Sequence, residues 1–270
     1  MKIGDMHNIK LFNRALIAVA LLLLVVFGSW AAGAWQNQHL HKKPKLGLIT
    51  TLPLRWGEGD LADMVSPTSM PSAAYKSLEA DYQITMIDAV DAKSLNGNHV
   101  LMMAQPRAFA PAELVAIDSW IRNGGHALIL ADPALTWESS YPLGDKRRPL
   151  FTSLMSPLFA HWGIDLVLPM EVGNEKIVVR EISGQTVQTS TPGAWQPRAG
   201  PKSAQCSISD NGMIAQCIAG KGRAIMIADA DLLKEDFWQG SGLRVISRAD
   251  DFGNMTLIKK YLSQITMQGK

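Results

Sequence analysis

The sequence predicts a doubly wound α/β fold with a parallel sheet, a β-hairpin-rich insertion and one preceding transmembrane helix. Three observations predict it. Residues 100–131 read as strand, helix, strand, a βαβ unit that demands a parallel pair and a right-handed crossover. From Ile164 to about Ile218 the pattern changes to short hairpins. Near the N-terminus an uncharged apolar run, ALIAVALLLLVVFGSWAAGA, spans Ala15 to Ala34.

Twenty helical residues cover ~30 Å, the thickness of a bilayer's hydrocarbon core. Lys2, Lys10 and Arg14 supply a basic start, and Ala32-Gly33-Ala34 would serve as a cleavage site. Against cleavage, the run exceeds the ~7–15 apolar residues of a secretory signal. Trp30 and Trp35 stand where an interfacial aromatic belt would place them. The reading is an uncleaved signal anchor over 15–35, after a tail at 1–14 and before a basic linker at 36–45. His39 and His41 in that linker read as solvated rather than as metal ligands. Lys42, Lys43 and Lys45 balance the three N-terminal cations, so charge does not set orientation. Long domains translocate largely regardless of charge. The expectation is therefore a single-pass inner-membrane protein with residues 46–268 in the periplasm.

The stretch after the linker is long enough for one large domain or two small ones. Residues 1–45 carry a net charge of +5 and the whole chain +2, which leaves −3 for the rest. A nucleic-acid-binding domain shows a basic excess, so no nucleic-acid partner is expected.

Cys206 and Cys217 bracket CSISDNGMIAQC. Asn211-Gly212 is a type I′ turn signal. With those residues as the loop, outward counting pairs Ser209 with Ile214, Ile208 with Ala215 and Cys206 with Cys217. Opposed antiparallel residues lie close enough for a disulfide, which implies an oxidising compartment. Two free thiols on the apolar face of Ile208 and Ala215 are the alternative.

Other elements follow in order. Leu46–Thr51 reads as a buried strand, and Gly57–Pro71 as loop. Ser72–Asp81 reads as a helix capped by Ser72, followed by strands at Tyr82–Ile87 and Val100–Ala104. Pro111 opens a helix to Asn123, ended by Gly124-Gly125, with Leu114, Ile117, Trp120 and Ile121 as its buried stripe. His126–Ala131 is a strand, Leu150–Trp162 a helix, Ala224–Ala228 a strand, and Thr256–Ile265 the closing helix.

The block QPRAFAPAELVAIDSWIRNGGHALILADPALTW resembles the soluble domain of gliding-motility-type ABC transporter auxiliary proteins and related bacterial membrane proteins. GKGRAIMIADADLL, followed by Asp251-Phe252-Gly253-Asn254 and an apolar helix, resembles the second hallmark of that group. The resemblance implies a flavodoxin-like, class I glutamine amidotransferase-like domain. Enzymes of that superfamily carry a nucleophilic Cys on a strand-to-helix elbow with a downstream His. Here the turn after the third strand reads AQPRAFAP, with neither Cys nor Gly. The resemblance thus implies a non-catalytic scaffold with ABC permease and ATPase subunits as partners. The chain has no P-loop of its own.

No cofactor is implied. Gly220-Lys221-Gly222 is not GxGxxG and precedes a strand. No GxSxG occurs, and Ser241 has no strand before it. His126 and His161 read as packing or surface residues. The loop Asp145-Lys146-Arg147-Arg148 could contact an anion or be simply solvated. Paired carboxylates are the best remaining candidates. Asp132 ends one predicted strand, and Asp229 and Asp231 end another. Ligands of open α/β sheets bind beyond the carboxyl ends of strands. Converging there, the three acids could bind a ligand or cation, or satisfy turn amides. Two functions follow: an accessory or scaffold component of an ABC-type envelope transport system, or a metal-assisted envelope hydrolase using the acids.

Overall fold

The computed structural model describes residues 20–29, 43–56, 70–170, 177–239 and 251–268. The chain divides into two compact units, Met1–Lys43 and Pro44–Lys270.

In the first unit, residues 20–29 are helical and exposed, Leu24 and Phe27 among them. This corrects the expected transmembrane helix. Ten residues rise ~15 Å, about half a hydrocarbon core. No described helix is long and apolar enough to cross a membrane. The physical reason is that an apolar run fixes hydropathy, not helix length. The rest of the expected span, at 15–19 and 30–35, lies outside the described residues, as do His39, His41 and Ser241.

The second unit is a mixed α/β domain built on a seven-stranded sheet. Its parallel strands are β1 (Lys45–Thr50), β2 (Gln83–Met86), β3 (Val100–Ala104), β4 (His126–Leu130) and β11 (Gly222–Ile227). Their spatial order is β2-β1-β3-β4-β11, the order 2-1-3-4-5 among parallel strands. Two antiparallel strands, β10 (Ile214–Ala219) and β9 (Gln205–Ser209), extend it past β11.

Every residue of β3 and β4 is buried, because helices cover both faces. On one face Leu46, Met102 and Leu128 pack against α1 (Ala73–Asp81) and α5 (Asn254–Gln268). On the other Leu101, Met103 and Ile129 meet α2 (Ala92–Leu95), α3 (Pro111–Arg122) and α4 (Ser156–Trp162). Ser72 caps α1, its hydroxyl accepting from Tyr75 N at 3.0 Å.

The β-rich stretch divides three ways. β5 (Ile164–Val167) pairs with β8 (Ala194–Pro197), and β6 (Val178–Ile182) with β7 (Gln185–Thr189). The cysteine hairpin is β9–β10, with Cys206 opposite Cys217 and a disulfide between them. Its turn has Asn211 at φ 54° and Gly212 at φ 90°, closed by Met213 N donating to Asp210 O.

Helix α4 is shorter than the periodicity predicts, beginning at Ser156 rather than Leu150. The residues before it are taken by tertiary hydrogen bonds. Ser153 N donates to Asp132 O at 2.7 Å, and Leu150 O accepts from the Gln105 side chain. A helix begun at Leu150 would turn its carbonyl to the amide four residues on and away from Gln105.

Close approach fixes the crossing of α3 over the sheet. A Cβ on Gly222 would stand 2.0 Å from Ile121 O and 2.2 Å from Gly125 O, both backbone atoms. Gly222→Ala should destabilise the domain by about 1–3 kcal/mol or more, read as a lower denaturant midpoint. An unchanged midpoint would mean that α3 and β11 are not locked at this point.

Candidate functional site

One residue organises the carboxyl end of the sheet. Gln105 follows β3 directly, is fully buried and has φ 42°, a left-handed conformation costly for a side-chain-bearing residue. Its neighbours hold it there. Gln105 N donates to Leu130 O at 2.9 Å, and Gln105 O accepts from Thr51 Oγ1 at 2.6 Å. Its side-chain Nε2 donates to Asp132 O at 3.2 Å and Leu150 O at 2.9 Å. Its Oε1 accepts from Asp132 N at 3.0 Å. Gln105 thereby ties the ends of β1, β3 and β4 to the segment before α4. It stands in the turn that leads from β3 towards α3.

Asp132, Asp229 and Asp231 come together just beyond β4 and β11, and all three are fully buried. Asp132 accepts from Ala134 N at 2.7 Å and Ala230 N at 3.2 Å. Asp229 accepts from Leu232 N at 3.3 Å. Asp231 does not cap its own turn. Its Oδ2 accepts from Thr136 N at 2.9 Å and Thr136 Oγ1 at 2.7 Å, pinning the loop after β4. Among the described residues, Asp229 Oδ2 and Asp231 Oδ1 are buried without a hydrogen-bond partner. Thr189 lies beside Asp229 and favours its anion slightly, yet its hydroxyl also lacks a well-formed hydrogen bond.

Burial, then the charge of Asp231, pushes Asp132 up to about 8. Burial, then Asp132 and Asp231, raises Asp229 well above the carboxylate range. Burial also raises Asp231, while the Thr136 bonds pull the other way. Three carboxyls at this spacing, out of water, cannot all ionise at neutral pH. Their contacts are those of turn fasteners. Among the described residues, no group of three or more His, Cys, Asp or Glu side chains is arranged to hold a metal ion.

A different feature opens to solvent. A cleft of about 420 Å³ lies at the carboxyl ends of β1 and β2, where the strand order reverses between β1 and β3. Ile49 to Pro53 form its floor, and Trp56, Tyr141, Arg55, Arg107, Lys146 and Arg147 line it. The arginines lie on aromatic rings, Arg55 4.8 Å from Trp56 and Arg147 4.1 Å from Tyr141. Arg107 is fully engaged. It forks onto Glu113 at 2.6 and 2.9 Å and donates to Asp88 O at 2.6 Å. That ion pair is the main cause holding Glu113 down at about 2. Glu113 also accepts from Ala110 N at the start of α3.

Sequence reasoning reads Asp145-Lys146-Arg147-Arg148 as a solvated loop by default, with anion contact as the alternative, and the structure places Lys146 and Arg147 at this cleft. It misses Gln105, Arg55, Trp56 and Arg107. The available signal was the polar Gln105-Pro106-Arg107 ending an otherwise apolar strand. His126 starts β4, its Nδ1 without a hydrogen-bond partner among the described residues and its imidazolium disfavoured by burial and then by Arg223. His161 is exposed on α4, 3.8 Å from Asp118.

Residues 43–198 match the family described as ABC-type uncharacterized transport system. The match covers more than half of the chain, so the chain belongs to that family, an auxiliary component of an ABC-type transport system. No curated protein matches. Among solved structures, the N-terminal domain of mmIFT52 is similar at 13% identity and TM-score 0.47, over 82% of this chain and 97% of that one. A cytoplasmic protein of Salmonella typhimurium, STM3548, shares 12% identity at TM-score 0.42, over 82% and 98%. The cold-adapted β-galactosidase of Rahnella sp. R3 shares 14% identity at TM-score 0.42, over 82% of this chain and 32% of its own. These distant likenesses say nothing about function.

The acid cluster makes stability depend on pH. Unfolded Asp132 titrates near 3.8, whereas the folded group holds its proton to about 8. The folded state therefore binds more protons across that interval, and stability falls as pH rises through it. Glu113 and Asp145, both held at about 2, act the opposite way only below their ordinary values. The melting temperature should be higher at about pH 5 than at about pH 8.5. Asp229→Asn should change it little at the lower pH and raise it at the higher. A wild type more stable at the higher pH would contradict the protonated cluster.

Asp231→Ala should cost about 1–3 kcal/mol, because Thr136 N loses its buried acceptor. Asp231→Asn keeps an acceptor and should cost less. Equal loss in both, with divalent metal stabilising only the wild type, would assign the cluster to a cation.

Proposed function

We propose that this chain is a non-catalytic accessory of its ABC-type transport system, recognising a partner or ligand at the carboxyl end of its sheet. The observation that carries the reading is Gln105. The elbow that would present a nucleophile instead holds a carboxamide, buried and bonded at both ends to Asp132 and Leu150. A carboxamide is not a nucleophile under these conditions, and this one is buried away from any substrate. The acids at the neighbouring strand ends are sealed from solvent, which argues against a hydrolase built on them.

The domain works in an oxidising compartment, the periplasm, on this reading. The support is the disulfide between facing strands, since cytosolic thiols are kept reduced. Its partners are permease and ATPase subunits, because the chain supplies no nucleotide-binding P-loop.

Affinity purification of the full chain, cross-linked in cells, should recover permease or ATPase subunits. Recovery of neither would overturn the accessory role. Alkylation of the isolated protein without reductant should leave Cys206 and Cys217 unmodified. Two alkylated thiols would overturn the assigned compartment.

A further inference from the structure

We propose that the cleft at the β1/β3 strand-order reversal binds a small organic oxyanion: one carboxylate or phosphoryl group on a planar or apolar body. This rests on the reading of the sheet's carboxyl end as a recognition face and names the chemistry recognised there.

Volume comes first. About 420 Å³ lies within the range of small-molecule sites and exceeds what a bare inorganic ion fills. The cleft also stands where open α/β sheets bind ligands for a topological reason. Connections leave β1 and β3 in opposite directions, so their strand ends are not covered by a shared crossover.

Charge comes next, and the four cations differ. Arg107 already holds Glu113 and the Asp88 carbonyl, so it shapes the wall and is not available. Arg147 shares two hydrogen bonds with Asp145 in its own loop. Arg55 is held along one edge: Nη1 donates to Tyr75 Oη at 2.5 Å and stands 3.6 Å from the half-exposed Glu79 carboxylate. Among the described residues its Nε and Nη2 make no hydrogen bond. Lys146 is exposed and has no ion pair among the described residues. Lys146 and the open edge of Arg55 thus remain for a ligand, set against one lining acid, Asp88, which suits a single oxyanion rather than a polyphosphate. Guanidinium forks and ammonium groups both suit carboxylate and phosphoryl oxygens.

The aromatic groups supply the second half of the specificity. Trp56 is 49% exposed at the cleft, an unusual setting for a large apolar ring. Tyr141 lines the same space. Both rings carry an arginine on one face, which fixes their planes. A flat or apolar ligand body stacked there would remove apolar surface from water without moving the backbone.

The shared chemistry has two sources, a free small molecule or a lipid headgroup with its glycerol and acyl carbons. The test is equilibrium dialysis of the full chain with phenyl phosphate, run beside inorganic phosphate and with phosphatidylglycerol vesicles as competitor. Phenyl phosphate should bind saturably at one site and more tightly than inorganic phosphate. Lys146→Gln should weaken it about tenfold, the loss of one charge-assisted contact. Arg55→Gln should do the same if its melting temperature shows it folded. Lys146 makes no interior contact, so its variant keeps the test informative if Arg55→Gln unfolds. Lys221→Gln, before β11 at the opposite end of the sheet, should leave binding unchanged. Competition by the vesicles would assign the site to a headgroup, and retained binding in their presence to a soluble acid. Either upholds the site. Binding that does not saturate, or that weakens equally in Lys146→Gln and Lys221→Gln, would overturn it. The accessory role could survive that result, since recovery of transporter subunits is read independently.

Discussion

The fold depends on one buried polar link, the carboxamide of Gln105 bonded to the backbone of Asp132. Parallel strands end without a shared turn, so nothing covalent sets their relative positions at the carboxyl end. In this domain hydrogen bonds do so. Gln105 joins β1, β3 and β4. Asp132 carries the connection to Ala230 past β11, and Asp231 continues it to Thr136 in the loop after β4. Each bond stands in for water at a group that could not otherwise be buried. The left-handed backbone at Gln105 persists because its main chain and side chain are both held.

That network separates two uses of the same end of the sheet. Over β4 and β11 the strand ends are sealed, and the acids there hold protons against their ordinary chemistry. Over β1 and β2 the strand ends open into a cleft lined by cations and aromatic rings. A rigid sealed half beside an open half suits recognition, because the wall residues are positioned before a ligand arrives. Arg107 illustrates the join. Its fork onto Glu113 fixes the start of α3 and one wall of the cleft together.

Much of this was legible in the sequence, and the legible parts share a cause. The strands and α3 carry continuous or periodic apolar patterns that local chemistry enforces. The Cys206–Cys217 register follows from the φ requirement at Asn211 and Gly212. What the sequence hid was set by contacts between distant residues. The segment at Leu150–Met155 has helical spacing, yet its backbone bonds Gln105 and Asp132 instead. The pairing of β5 with β8 joins segments that no local signal connects. The apolar run at Ala15–Ala34 has the composition of a span, but the described helix covers only 20–29. The convergence of the three aspartates could be anticipated from strand ends. Their burial, and with it their protonation, could not.

The most direct test of the central link is native-state hydrogen exchange at the amides of Asp132, Ala230 and Thr136. If the Gln105–Asp132 network holds the carboxyl end as one unit, all three should exchange only through global unfolding, with the denaturant dependence of the core of β3 and β4. Exchange of these amides through a local opening, at a free energy well below that of the core, would contradict the account.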